Sequence, residues 1–167
     1  MRRLRITPLS AALLVALANG AQVGVWRTYH NIRFGTTADV PASWTMGAPP
    51  QNNDGRSFTS PDKRAEITIS GIFANIGSND EFASRLIATE GETTTYKKRQ
   101  DKWVVVSGAK GDRIFYRKTV LSCDDTIAND LSIEYPAADK EKYDPLVAHV
   151  AASLRPGKGY DFVTKCK

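Results

Sequence analysis

Three β-rich runs follow one another with little between them: Thr93 to Arg99, Trp103 to Ser107 and Arg113 to Leu121, separated by Gln100-Asp101 and by Gly108 to Asp112. β-Branched and aromatic side chains fit a pleated, half-buried surface. Connections this short join antiparallel neighbours, because a parallel pair needs a crossover of about a dozen residues or more. The runs therefore predict an antiparallel meander. No G-x-G-x-x-G is present, which excludes a dinucleotide-binding βαβ enzyme.

Other segments add to the sheet. Ile32, Phe34, Thr36, Ala38 and Val40 alternate from Asn31 to Val40, predicting a half-buried strand ended by Pro41, with Trp26 and Tyr29 in a partner strand or lead-in. Met46 to Arg56 reads as a loop carrying Gly47, Pro49, Pro50 and the turn Asn53-Asp54-Gly55. Arg56 to Thr59 and Arg64 to Ile72 read as strands joined by Ser60-Pro61-Asp62-Lys63, with Ala65, Ile67 and Ile69 facing inward. Leu131, Ile133 and Tyr135 alternate in one more strand, ended by Pro136.

Two stretches have helical spacing. Ser78-Asn79-Asp80-Glu81 matches a capping box, with the Ser78 oxygen expected on the Glu81 amide; Phe82, Ala83, Leu86 and Ile87 then share a face, and Gly91 ends the segment. Leu146, Val147, Val150, Ala151 and Leu154 recur at helical spacing before Pro156 and Gly157. Pro145 fits only a first turn, which makes Asp144 the expected N-cap, with a preceding turn from Asp139. Strands in series with two helices and no βαβ alternation indicate α+β, an antiparallel β-sheet with helices packed on it.

The N-terminus has the tripartite pattern of an export leader: Arg2, Arg3 and Arg5, then the apolar stretch Leu9 to Ala18, then small residues with cleavage expected between Ala18 and Ala21. The organisation is thus a signal peptide over 1–20 and a single α+β domain over 21–167, periplasmic or secreted and not membrane-embedded once the leader is removed. Arg2-Arg3 alone does not define the export route. Three of the five excess positive charges lie in that leader, leaving +2, so the charge argument for a nucleic-acid partner falls away. Cys123 and Cys166 then sit in an oxidising compartment, where a disulfide is the expected state and two free buried thiols the alternative. Closing a loop of about forty residues stabilises by roughly 4 kcal/mol in the chain-entropy model. No C-x-x-C supports a redox role.

Phe34-Gly35, Asp39-Val40-Pro41 and Trp44, the strand pair after them, the mid-chain helix, and Ile133-Glu134-Tyr135-Pro136 followed by Tyr143-Asp144 and a helix carry a family resemblance. The pattern resembles the PsbP-like fold shared with DcrB-type exported bacterial proteins. Asp54-Gly55-Arg56, Phe58, Ser60, Ile114 to Lys118 and Ala151 to Leu154 further resemble a group of small exported bacterial proteins. The resemblance implies an α/β/α sandwich and an assembly or binding accessory, and transfers no catalytic residue.

Chemical motifs are incomplete. Asn52 to Gly55 fails as a calcium loop, because placing Gly55 at the sixth position puts Pro50 and Pro61 where carboxylates are needed. Ser60-Pro61-Asp62-Lys63 has S-x-x-K spacing but lies in a predicted hairpin turn without companion motifs. His30 and His149 are the only histidines, and no metal-ligand spacing involves them; no metal or cofactor is expected. His149 lies between Val147 and Val150, and Asp124-Asp125 reads as a solvated acidic turn.

The densest basic run is Lys97, Lys98 and Arg99 with Lys102, interleaved with Tyr96 and Trp103. In a strand, Lys97 and Arg99 face one way and Tyr96 and Lys98 the other, which splits the charge. The run is the candidate binding patch, and an exposed strand whose lysines discourage edge pairing is the structural alternative. The sequence is therefore read as an exported non-enzymatic accessory or binding protein whose partner is a protein or envelope component. The rival is a small hydrolase acting on an envelope polymer, its base chosen from Glu66, Glu134, Asp54 and His149. A cleft holding two of those side chains favours the enzyme.

Overall fold

A seven-stranded antiparallel sheet organises the chain in the computed structural model, which describes residues 24–74, 77–161 and 164–166. Strands β1 (Trp26–His30) and β2 (Thr37–Pro41) form a hairpin outside that sheet. Then come β3 (Thr45–Met46), β4 (Gly55–Thr59), β5 (Glu66–Phe73), helix α1 (Ser78–Arg85), and the meander β6 (Glu92–Gln100), β7 (Trp103–Lys110), β8 (Arg113–Ser122) and β9 (Ile127–Pro136). A 3-10 turn (Ala137–Asp139) leads into α2 (Lys140–Ser153), and β10 (Gly159–Tyr160) pairs with β11 (Thr164–Lys165). The sheet order is β3-β4-β5-β9-β8-β7-β6. The chain crosses through α1 to the far edge, and the meander returns until β9 pairs with both β5 and β8.

Side-chain alternation divides the two faces. Ile67 and Ile69 of β5 and Leu131 and Ile133 of β9 are aligned in register and buried against α2 and the β1-β2 hairpin, together with Val40, Trp44, Phe58, Tyr143, Val150 and Leu154. The opposite face has a small core, Phe82 of α1 on Val104, Leu121 and Ala128. Elsewhere that face is polar: Thr68 opposes Ser132, and Ser70 opposes Asp130. This is the expected α+β arrangement, a mostly antiparallel sheet with two helices packed on it. Among the described residues no helix is long and apolar enough to cross a membrane. The leader read over 1–20 lies outside the described residues.

Four local expectations are corrected. Asn31 to Phe34 is a turn rather than strand: the Asn31 side-chain oxygen accepts the Phe34 amide at 2.7 Å and the Arg33 amide at 3.1 Å, and Ile32 is left exposed. A buried Asn bonding its own downstream backbone competes with ladder formation. The capping box does not form, because Gly77 is the N-cap and the Glu81 carboxylate pairs instead with Arg85 at 2.7 Å. Helix α1 also ends at Arg85, well before Gly91, with Ile87 exposed. Finally, the N-cap of α2 is Asp139, the residue at which the sequence places a preceding turn, rather than Asp144, and Pro145 lies inside the helix beyond its first turn. The earlier start buries Tyr143 against Tyr135 and Trp44, with ring centroids 5.0 Å and 6.4 Å apart, which offsets the hydrogen bond that Pro145 cannot donate.

Cys123 and Cys166 lie at disulfide distance, their Cα atoms 4.5 Å apart, tying the tail to the β8-β9 turn. Arg33 secures the same tail from the other side, donating to Asp161 and to Asp54 at 2.7 Å each.

Candidate functional site

Strand β6 is an edge strand, and its alternation distributes the predicted basic patch over three environments. Arg99 faces α1, donating to the Asn79 side-chain oxygen at 2.5 Å with its guanidinium 5.0 Å from the centre of the Phe82 ring. Lys102, in the β6-β7 turn, pairs with Asp125 at 2.9 Å, which raises its pKa. Lys97 shares Arg99's side of the strand, in register with Val106. Lys98 alone of the four turns to the α2 side, its ammonium 5.7 Å from the centre of the Trp103 ring.

On that side the ladder sets residues of three strands in rows. Tyr96, Ser107 and Tyr116 form one row; Lys98, Val105 and Lys118 the next; Gln100, Trp103 and Val120 the third. Helix α2 crosses nearer to β9, so this end of the sheet is only partly covered. The gap is a groove of about 340 Å³, floored by Val105 and flanked by Tyr96, Tyr116, Trp103, Lys98 and Lys118, with Ala148, Ala151 and Ala152 as the helical wall. No carboxylate lines it. Lys118 donates to the Ala151 carbonyl at 2.7 Å, and burial, with Arg155 nearby, lowers its pKa. Burial also pushes the Tyr116 phenol up to about 12, so it stays a neutral hydroxyl. The sequence reading named Tyr96, Lys98 and Trp103 but missed Tyr116 and Lys118, which only the β7-β8 register brings alongside.

A second recess, about 210 Å³, lies beside α1 on the polar face, among Thr68, Ser70, Arg85, Arg117, Asp130 and Ser132. Its two arginines are already neutralised. Arg85 contacts Glu81 and Asp130 at 2.7 Å each, and Arg117 contacts Glu92 at 2.5 Å. Burial opposes the charge on Arg85, but Asp130 and Glu81 outweigh it and raise its pKa. Three acids against two bases make this an internal ion-pair network rather than a receptor for an anion.

The candidate general bases are dispersed, with one exception. Asp54 is engaged by Arg33 and Asn52, and the His149 Nε2 lies 3.0 Å from Asp39 beneath the stacked indole of Trp26. Glu66 and Glu134 are directly opposite one another in the β5-β9 ladder, both exposed at its open end. They line neither recess. Ser60 is committed to its hairpin turn, where its Oγ accepts the Ala65 amide at 2.9 Å and donates to Asp62 at 2.5 Å. Among the described residues no group of three or more His, Cys, Asp or Glu side chains gathers where it could hold a metal.

The solution structure of cyanobacterial PsbP from Synechocystis sp. PCC 6803 superposes with a TM-score of 0.57 at 12% identity, covering 84% of this chain and 98% of that one. The Ran-binding protein Mog1p of Saccharomyces cerevisiae superposes with a TM-score of 0.53 at 10% identity, covering 79% and 95%. The fold is that of PsbP and Mog1. No family model and no curated protein sequence matches the chain. At such identities the likeness is one of backbone architecture, and the groove between α2 and β6-β8 is defined by this chain's own side chains.

Proposed function

We propose that the chain is an exported, non-enzymatic accessory or binding module of the bacterial envelope, periplasmic or secreted, and that its contact surface is the groove between α2 and strands β6, β7 and β8. The carrying observation is that aromatic and basic side chains from three strands converge there with no opposing acid, whereas Asp54 and His149 are held in separate contacts. Export is supported by the leader pattern of residues 1–20 and by the cysteine pair at disulfide distance. A neighbour of the same fold is named as a Ran-binding protein, which is consistent with use of this scaffold for recognition.

The test is partner recovery by crosslinking in the native envelope or medium. The expected result is recovery that falls with Lys98→Glu and is unchanged by Lys97→Glu, because the two lysines project from opposite sides of β6. Equal loss from both variants, or from neither, moves the contact surface elsewhere. N-terminal sequencing of the exported fraction is expected to begin between Asn19 and Ala21, and a cytosolic protein retaining Met1 overturns the export reading.

One observation favours the hydrolase reading: Glu66 and Glu134 stand side by side across the ladder. Directly opposed residues carry their Cβ atoms about 5 Å apart, so the two side chains start from neighbouring positions, with Glu134 paired to Arg113 at 3.6 Å and Glu66 accepting from Thr68 at 3.4 Å. Turnover of an envelope polymer that is lost in Glu66→Gln or Glu134→Gln would replace the binding reading with that one.

A further inference from the structure

We infer that the groove between α2 and β6-β8 binds an acidic oligosaccharide, its carboxylate between Lys98 and Lys118 and its sugar rings lying against Trp103 at one end and Tyr96 and Tyr116 at the other. The inference rests on the binding-module reading and specifies its ligand.

Charge is the first argument. Lys98 and Lys118 lie in one row on either side of Val105, two strand spacings or ~10 Å apart. Their long side chains span that distance from both ends. Lys118 donates to one backbone carbonyl, and Lys98 makes no ion pair among the described residues. Two ammonium groups with spare donors and no carboxylate in the lining present a site for an anion.

Dimension is the second. The Tyr96-Tyr116 row and the Trp103 row are four residues apart along the strands, ~13 Å at about 3.3 Å per residue, with the lysine row midway. A ligand reaching both ends needs flat apolar surfaces at its extremities and an acidic group near its centre. A short chain of pyranose rings has this form, because each ring offers a C–H face to an aromatic side chain while its hydroxyls stay in water.

Wall chemistry is the third, and it disfavours an extended acidic peptide. The floor and walls are side chains, and the unpaired backbone groups of β6 lie along the outer sheet edge instead of in the groove. A peptide laid there would find no ladder partner for its amides, while the alanines of α2 offer no pocket for its side chains.

The experiment is an NMR titration of the ¹⁵N-labelled protein with trigalacturonate, its fully methyl-esterified form, and a peptide of alternating Glu and Tyr. Saturable shifts of the Trp103 indole and the Val105 and Ala152 amides are expected with trigalacturonate. Binding should be at least tenfold weaker for the ester, at least fivefold weaker in Lys98→Gln and Lys118→Gln, and unchanged in Lys97→Gln. Preserved dispersion of the remaining spectrum shows that each variant is folded. Absence of saturable shifts with trigalacturonate, equal binding of the ester, or binding of the peptide alone overturns the inference. If the saccharide fails while crosslinking still depends on Lys98, the ligand class falls and the binding-module reading stands.

Discussion

The guanidinium of Arg85 reaches the carboxylate of Asp130 at 2.7 Å, joining the last turn of α1 to the central strand β9. Helix α1 has only eight residues, too few to persist on intrinsic propensity, so it depends on such tertiary contacts. Asp130 also accepts the Thr119 hydroxyl at 2.6 Å, which fixes the carboxylate in place. Asp130→Asn keeps the shape and removes the charge, leaving Arg85 half-buried with only Glu81 as partner. The expected cost is about 1–3 kcal/mol, read as a lower midpoint in chemical denaturation, with loss of hydrogen-exchange protection concentrated in α1.

Phe82 is the one fully buried side chain of that helix, seated on Val104, Leu121 and Ala128. Phe82→Ala is expected to destabilise by about 3–5 kcal/mol and to free the Arg99 side chain, which lies over its ring. Calorimetry provides the check, and a loss below 1 kcal/mol would mean that α1 contributes little to the fold.

Gly71 lies within β5, opposite Asn129, where Phe34 and Thr36 press onto the sheet. An added Cβ would lie 2.6 Å from the Thr36 Oγ1 and collide with the Phe34 side chain. Thr36 is buried and donates to Asn129 at 2.6 Å, so it has little freedom to retreat. Gly71→Ala is therefore expected to lower stability by about 1–3 kcal/mol through overpacking, measured by the denaturant midpoint.

Two tyrosines give a pH-dependent signature. Burial, with Tyr96 adding to it, pushes Tyr116 up to about 12, and burial together with Asp144 does the same for Tyr135. Raised phenol values mean that the folded state holds its protons more tightly than the unfolded state. The associated stability is complete below pH ~10 and is lost as pH rises toward about 12. Phenolate absorbance in the folded protein should show Tyr116 and Tyr135 titrating late, and each should return toward the ordinary range on unfolding. Simultaneous ionisation of all six tyrosines near the ordinary value contradicts this.

The cysteine pair predicts a chemical result. Alkylation without reductant should label neither Cys123 nor Cys166, and the double variant Cys123→Ser with Cys166→Ser should lose about 2–4 kcal/mol. Labelling of both thiols in the exported protein refutes the bridge.

The sequence by itself determined the meander, the inward faces of β5 and β9, the approximate place of both helices and the α+β class, because alternation and turn residues act within a few positions of the chain. It also showed that Lys97 and Lys98 point in opposite directions, since period two is a property of any strand. Tertiary structure decided what local patterns compete for. Asn31 bonded its own backbone instead of extending a ladder, Glu81 chose Arg85 over the cap, and burial of Tyr143 drew Pro145 into a helix. The groove was likewise invisible in the chain, because Tyr96, Lys98, Trp103, Tyr116 and Lys118 come from three strands and share a surface only through hydrogen-bond register and the position of α2. Register depends on long-range pairing, and a shift of one residue would turn every one of these side chains to the opposite face.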